Sequence, residues 1–136
     1  MSFKIKPEHS KPEGFIVFEY ATVAGVPFRK PNALVFVKGK HHTIEWEREL
    51  NNKEDPNAIK MFGCTKGLLG KKRQFIGYVP REIFQRIVDS SLWGLAQPYF
   101  QSICVGDVDV APGDEFIEVS FQVLGPKTRK KEYKST

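Results

Sequence analysis

The sequence has only two cysteines, Cys64 and Cys104. They form neither a CxxC pair nor a disulfide framework, so a disulfide-stapled scaffold is excluded and both are expected to be reduced. Cys104, flanked by Ile103 and Val105, is expected in the core as a small apolar side chain. Long hydrophobic runs are also missing. The longest, FIVF at 15–18 and ALVFV at 33–37, fall far short of the roughly 18 to 20 residues of a bilayer span. The N-terminal stretch MSFKIKPEHSKPEG mixes Lys, Pro and Glu without the apolar segment of a signal peptide. A soluble, cytoplasmic protein with no membrane partner is the expectation.

Catalytic signatures are equally scarce. GxSxG, P-loop and GxGxxG patterns are absent. The three histidines are His9, His41 and His42, and an adjacent pair on a strand points to opposite faces, so it does not converge on a metal. Neither a cofactor nor an autonomous catalytic site is expected.

What the chain does have is core-forming material: 40% hydrophobic residues and 11 Phe in 136 positions, enough for one domain. The net charge of +5 is unevenly spread. The segment from Lys127 to Thr136 carries +4, leaving about +1 for the rest. A second basic cluster, KGLLGKKR at 66–73, sits in a Gly-rich loop. Both features favour a polyanionic partner, and both also serve as plain solubilising charge.

Read along the chain, Phe15 to Val23 is rich in aromatic and β-branched residues and is expected as a strand, with Ala33 to Val37 as a second. In TIEWEREL, Ile44, Trp46, Arg48 and Leu50 fall on one face of a strand, and Glu45, Glu47 and Glu49 on the other. That carboxylate stripe is read as a solvated face, with a divalent-metal nuclease as the competing reading. LNNKEDPN has loop chemistry, and AIKMFG and RQFIGYV follow as strands. Pro80 is placed to open a helix running to about Leu92, whose stripe of Ile83, Phe84, Ile87 and Val88 faces the core. YFQSICVGDV and FIEVSFQV return to strands, the second with Ile117, Val119, Phe121 and Val123 inward and Glu118, Ser120 and Gln122 outward, joined by a GDVDVAPGDE hairpin loop. The expected fold is mainly β with one principal helix, a small OB-like or SH3-like β-barrel.

The order WEREL, then EDPNAIKM, then GYVPRE at a helix start resembles the HIRAN domain, a small β-barrel found at the N-terminus of SWI/SNF-type helicases and as free-standing bacterial proteins. The matching positions are Arg48, Glu49 and Leu50, then Asp55, Asn57, Ala58, Ile59 and Met61, then Gly77, Tyr78, Val79, Pro80 and Arg81. The resemblance runs from about Val23 to Val123 and divides the chain into a flexible lead at 1–13, a barrel domain at 14–125 and a basic tail at 126–136.

This resemblance implies a module that binds single-stranded DNA, with a free 3′-hydroxyl end held in a pocket, and it also suggests a helicase or nuclease as protein partner. Carried over, Asp55 accepts a hydrogen bond from the terminal hydroxyl, Tyr78 lines the pocket edge, and Arg81 reaches a phosphate at the helix start. Phe28 and Arg29 stand where the family places another DNA-contacting pair, and Lys60 is a further contact candidate. In the DNA-end-binding members an aromatic residue precedes the key Asp; here that position is Glu54, and Phe28 is the available stacking substitute. The same residues also admit a structural reading, with Asp55 capping its turn and Tyr78 packing over Pro80. In that case the barrel is a non-catalytic protein-interaction adaptor.

Overall fold

The computed structural model describes residues 3–49, 53–54, 58–106 and 116–135. The chain runs β1 (Phe3–Ile5), β2 (Phe15–Thr22), α1 (Lys30–Lys38), β3 (Thr43–Arg48), β4 (Ile59–Gly67), β5 (Gly70–Tyr78), α2 (Arg81–Asp89), β6 (Gln97–Val105), β7 (Ile117–Pro126) and α3 (Lys130–Lys134). Short 3-10 turns at Val26–Arg29 and Lys127–Arg129 lead into α1 and α3.

The strands form two antiparallel sheets, one ordered β1-β6-β7-β2 and the other β3-β4-β5. They are stitched together at one seam. Ala24, just past β2, donates to the Tyr78 carbonyl at 2.8 Å, and Tyr78 donates back to the Ala24 carbonyl at 2.9 Å. On the far side β3 packs beside β6. The fold is therefore mainly β in the small OB-like manner, built from two hydrogen-bonded sheets around one core.

Strand alternation fills that core as the sequence leads one to expect: Ile117, Val119, Phe121 and Val123 are all buried. Gln122, expected outward, is also buried, and its side-chain carbonyl has no partner among the described residues. α2 buries Ile83, Phe84 and Ile87. Pro80 stands just before α2 as its cap, where its carbonyl accepts from the Ile83 and Phe84 amides. The helix stops at Asp89, short of the expected Leu92, because Ser91 takes a positive φ of 60° and turns the chain so that Leu92 enters the core.

Other expectations are corrected. Ala33 to Val37 belongs to helix α1, not to a strand. Pro31 sits in its first turn, where no amide partner is needed, and Ala33 and Phe36, three residues apart, both point into the core. The lead and the tail also pack on the domain. Phe3–Ile5 pairs with β6, and the Tyr99 hydroxyl donates to the His9 carbonyl. Tyr133 of α3 is fully buried, its ring 5.2 Å from that of Phe18 and its hydroxyl donating to Glu19. Cys64 is the buried thiol, while Cys104 lies on the half-exposed face of β6 between the buried Ile103 and Val105. Among the described residues no helix is long and apolar enough to cross a membrane.

Candidate functional site

The outer face of the β3-β4-β5 sheet is built by register. Glu47 stands opposite Lys60 and Lys60 opposite Tyr78, while Glu45 stands opposite Phe62 and Phe62 opposite Phe75. Tyr78 and Phe75 are three residues apart and would fall on opposite faces of a regular strand. A bulge facing Met61 and Phe62 inserts one extra residue in β5 and resets the alternation. As a result Ile76 is fully buried, and the Phe75 and Tyr78 rings meet outside at 5.3 Å, nearly perpendicular. Gly77 makes this possible. Its φ is +155°, and a Cβ there would run into the Ala24 carbonyl and the Val23 side chain.

Several cations converge on these rings. The Arg29 guanidinium lies 4.5 Å from the centre of the Phe75 ring, the Lys60 ammonium 5.1 Å from it, and the Arg73 guanidinium 3.5 Å from the centre of Phe62. The two phenylalanine rings are 5.8 Å apart. Arg29 Nε is buried and has no hydrogen-bond partner among the described residues. Its position is fixed by the turn before α1. Gly25, with φ +80°, accepts from the Phe28 amide, Val26 is buried, and the Asn32 side-chain amide donates to the Phe75 carbonyl at 2.9 Å. Phe28, in the same turn, is 85% exposed. A large apolar ring left in water beside fixed cations is suited to receive a flat, anionic ligand.

The glutamate stripe is a cross-sheet ladder. Glu45 pairs with Lys71 and with Arg73 at 3.4 Å, Glu47 with Arg73 at 2.9 Å, and Glu49 with Lys60 at 3.4 Å. Glu49 also accepts from the Tyr78 hydroxyl at 3.1 Å. Such half-exposed pairs contribute about 0 to 1 kcal/mol each, so their effect is mainly to fix side-chain positions. Among the described residues no three metal-ligating side chains gather. Beneath this ladder, burial first and then the Glu45 charge push the Cys64 thiol up to about 11.

Of the residues singled out from sequence, Arg29, Lys60 and Tyr78 come together around Phe75, and Phe28 neighbours Arg29. Arg81 is exposed at the start of α2 and, among the described residues, joins no ion pair. Asp55 and Asn57 lie outside the described residues. Sequence reading missed Phe75 and Phe62, and it named Glu49 in the carboxylate stripe and the family motif without its link to Tyr78 and Lys60. Simple alternation hides Phe75 because the bulge is invisible in RQFIGYV, although Gly77 one residue before Tyr78 is the kind of signal that marks one.

No family model matches the sequence, and no curated protein matches it either. Among solved structures, the fold is similar to the NMR structure of the HLTF HIRAN domain, with a TM-score of 0.51 and 18% identity over 90% of this chain and 88% of that one. A crystal structure of the HIRAN domain of human HLTF aligns with a TM-score of 0.47 and 18% identity over 90% of this chain and 92% of that one. A Lactobacillus plantarum protein aligns with a TM-score of 0.47 and 20% identity over 82% of this chain and 96% of that one.

Proposed function

We propose that this chain, which has the fold of the HIRAN domain, is a non-catalytic single-stranded DNA-binding module that reads a free 3′-hydroxyl end in a cytoplasmic setting. The observation that carries the reading is the convergence of Arg29, Lys60 and Tyr78, from three separate segments, on the Phe75 ring. Each part has a distinct task. Aromatic faces accept bases by stacking, at about 1 to 3 kcal/mol per base, whatever the base identity. Phe28 is the exposed platform, and Phe75 and Tyr78 form the floor. The Arg29 guanidinium, seated over Phe75, and Lys60 take phosphate oxygens. Arg81 takes a further phosphate along the strand, at the positive end of α2.

Asp55 supplies the end selectivity: an ionised carboxylate accepts the terminal hydroxyl and repels a terminal phosphate. Glu49, accepting from Tyr78 and paired with Lys60, fixes the positions of these two side chains beside Phe75. A helicase or nuclease acting on the same DNA is the protein partner that suits this activity. The nuclease reading of the glutamate stripe is disfavoured, because each carboxylate already pairs with a cation.

The test is a titration of short labelled single strands that differ only in ending with a 3′-hydroxyl or a 3′-phosphate. Tighter binding of the hydroxyl end, lost in Asp55→Ala, is the expected result. Equal affinity for both ends reduces the module to a plain strand binder, and absence of binding to either leaves the adaptor reading in its place.

A further inference from the structure

The far end of the same hairpin holds a second surface. From Phe75 back to Gly70, β5 extends about 17 Å at the usual strand rise, so the β4–β5 tip lies beyond the edge of the Phe75 cluster. There the tip and the C-terminal end of α1 enclose an open cleft of about 870 Å³. Its lining holds Lys38, Lys40, Lys66 and Lys72 and, among the described residues, no carboxylate. Lys71, also in the lining, pairs outward with Glu45, and Glu8 at the rim pairs with His41 at 2.9 Å. Between the lysines the chain places Leu68 and Leu69, both fully exposed, with Val35 of α1 at 41% exposure on the facing wall.

Two consecutive leucines left entirely in water serve no folding purpose, since neither touches the core. They stand on a hydrogen-bonded support. Gly67 and Gly70 close the ladder on either side of the tip, and the Lys66 amide donates to the Lys40 carbonyl at 2.9 Å, tying the hairpin to the end of α1. The pairing of aliphatic anchors with a carboxylate-free ring of lysines decides between ligand classes. A nucleic acid would satisfy the lysines, but leucine offers no π-face on which a base can stack. A flat lipid surface would meet the leucines, but not the concave wall formed by Val35, Lys38 and Lys40. A peptide with acidic residues alternating with aliphatic ones satisfies both.

We propose that this cleft is a docking site for an acidic segment of a partner protein, with aliphatic side chains covering Leu68, Leu69 and Val35 and carboxylates meeting Lys38, Lys40, Lys66 and Lys72. The inference is independent of DNA binding at Phe75. It makes the domain a two-sided connector, with nucleic acid at one end of the β4–β5 hairpin and protein at the other.

The experiment uses the full chain and a labelled peptide of about a dozen residues alternating Glu and Leu. Two controls accompany it: the same peptide with Ala for Leu, and vesicles of mixed phosphatidylserine and phosphatidylcholine. The Glu/Leu peptide is expected to bind, and the double variant Leu68→Ser, Leu69→Ser to weaken it by about tenfold or more. Lys66→Glu with Lys72→Glu should weaken it most at low salt, where exposed charges are least screened. Both double variants should keep the wild-type melting temperature, because the altered side chains are exposed surface groups, and the leucine variant, which changes no charge, should also keep the wild-type oligonucleotide affinity. Equal binding of the Ala peptide would overturn the proposal by reducing the site to bulk charge. It would equally be overturned if the leucine substitutions abolished vesicle or oligonucleotide binding and left peptide binding unchanged.

Discussion

Gly77 and Ala24 approach backbone to backbone so closely that the space for a Cβ on Gly77 is taken by the Ala24 carbonyl. The hydrogen-bonded stitch between the two sheets passes through this contact, and the same bulge turns Phe75 and Tyr78 onto one face. Gly77→Ala is therefore expected to destabilise the domain by more than about 2 kcal/mol, from the clash together with the unfavourable φ. Gly94→Ala, where a Cβ would meet nothing within 4 Å, should leave stability nearly unchanged. Denaturant unfolding of the two variants beside the wild type checks the contrast.

The C-terminal segment is structural as well as basic. Tyr133 is fully buried against Phe18, so Tyr133→Ala should cost roughly 3 to 5 kcal/mol. Truncation after Pro126 should lower the melting temperature in a thermal scan. A melting curve unmoved by the truncation would mean that α3 is not packed as described.

Glu19 joins this contact to α2, accepting from both Arg86 and Tyr133. Burial alone would raise its carboxyl, but the hydrogen bonds from Arg86 and Tyr133 and the Arg86 charge outweigh it and hold the group below its ordinary 4.5. A depressed folded value adds stability that is fully present above the unfolded value and is lost as pH falls through the folded one. Stability should thus fall as pH drops below about 4.5, and Glu19→Gln should flatten that acid limb while lowering stability at neutral pH. Unfolding midpoints across pH 2 to 7 read this directly.

The two thiols should differ in reactivity. Cys64 is buried under the Glu45 and Lys71 pair and pushed up to about 11, so at pH 8 it is both covered and protonated, whereas Cys104 is half-exposed. A thiol reagent should modify Cys104 first in the native protein and reach Cys64 only in denaturant. Peptide mapping after a timed reaction distinguishes the two.

How far the fold was legible in the sequence depended on whether local pattern and tertiary packing agreed. In α2 and the first half of β7 they agree: an i, i+4 apolar stripe and a strict alternation each have one way to face a core, whereas from Phe121 to Gly125 both faces of β7 are buried, Gln122 included. In ALVFV they do not, because a short apolar run suits a buried strand and a buried helix equally, and what decides is Pro31 in the first helical turn and the seat of Phe36 against Gly63. Phe3–Ile5 carries too little pattern of its own, and its strand exists only because β6 offers an edge. Around Phe75, Tyr78 and Arg29 were singled out through the family resemblance, and Lys60 as a further contact candidate between the matched Ile59 and Met61. Phe75 was not, since its orientation depends on a bulge that no residue-by-residue alternation reveals.

The face around Phe75 is the surface proposed to receive single-stranded DNA. The most direct measurement is a titration of the isotope-labelled protein with a short 3′-hydroxyl oligonucleotide, following the backbone amide signals. Shifts should concentrate at Phe28, Arg29, Lys60, Phe75 and Tyr78, and Phe75→Ala should weaken binding by about tenfold, as expected for loss of a stacking surface. Shifts confined to the Lys66 to Lys72 hairpin tip, with Phe75→Ala binding as tightly as the wild type, would contradict the claim.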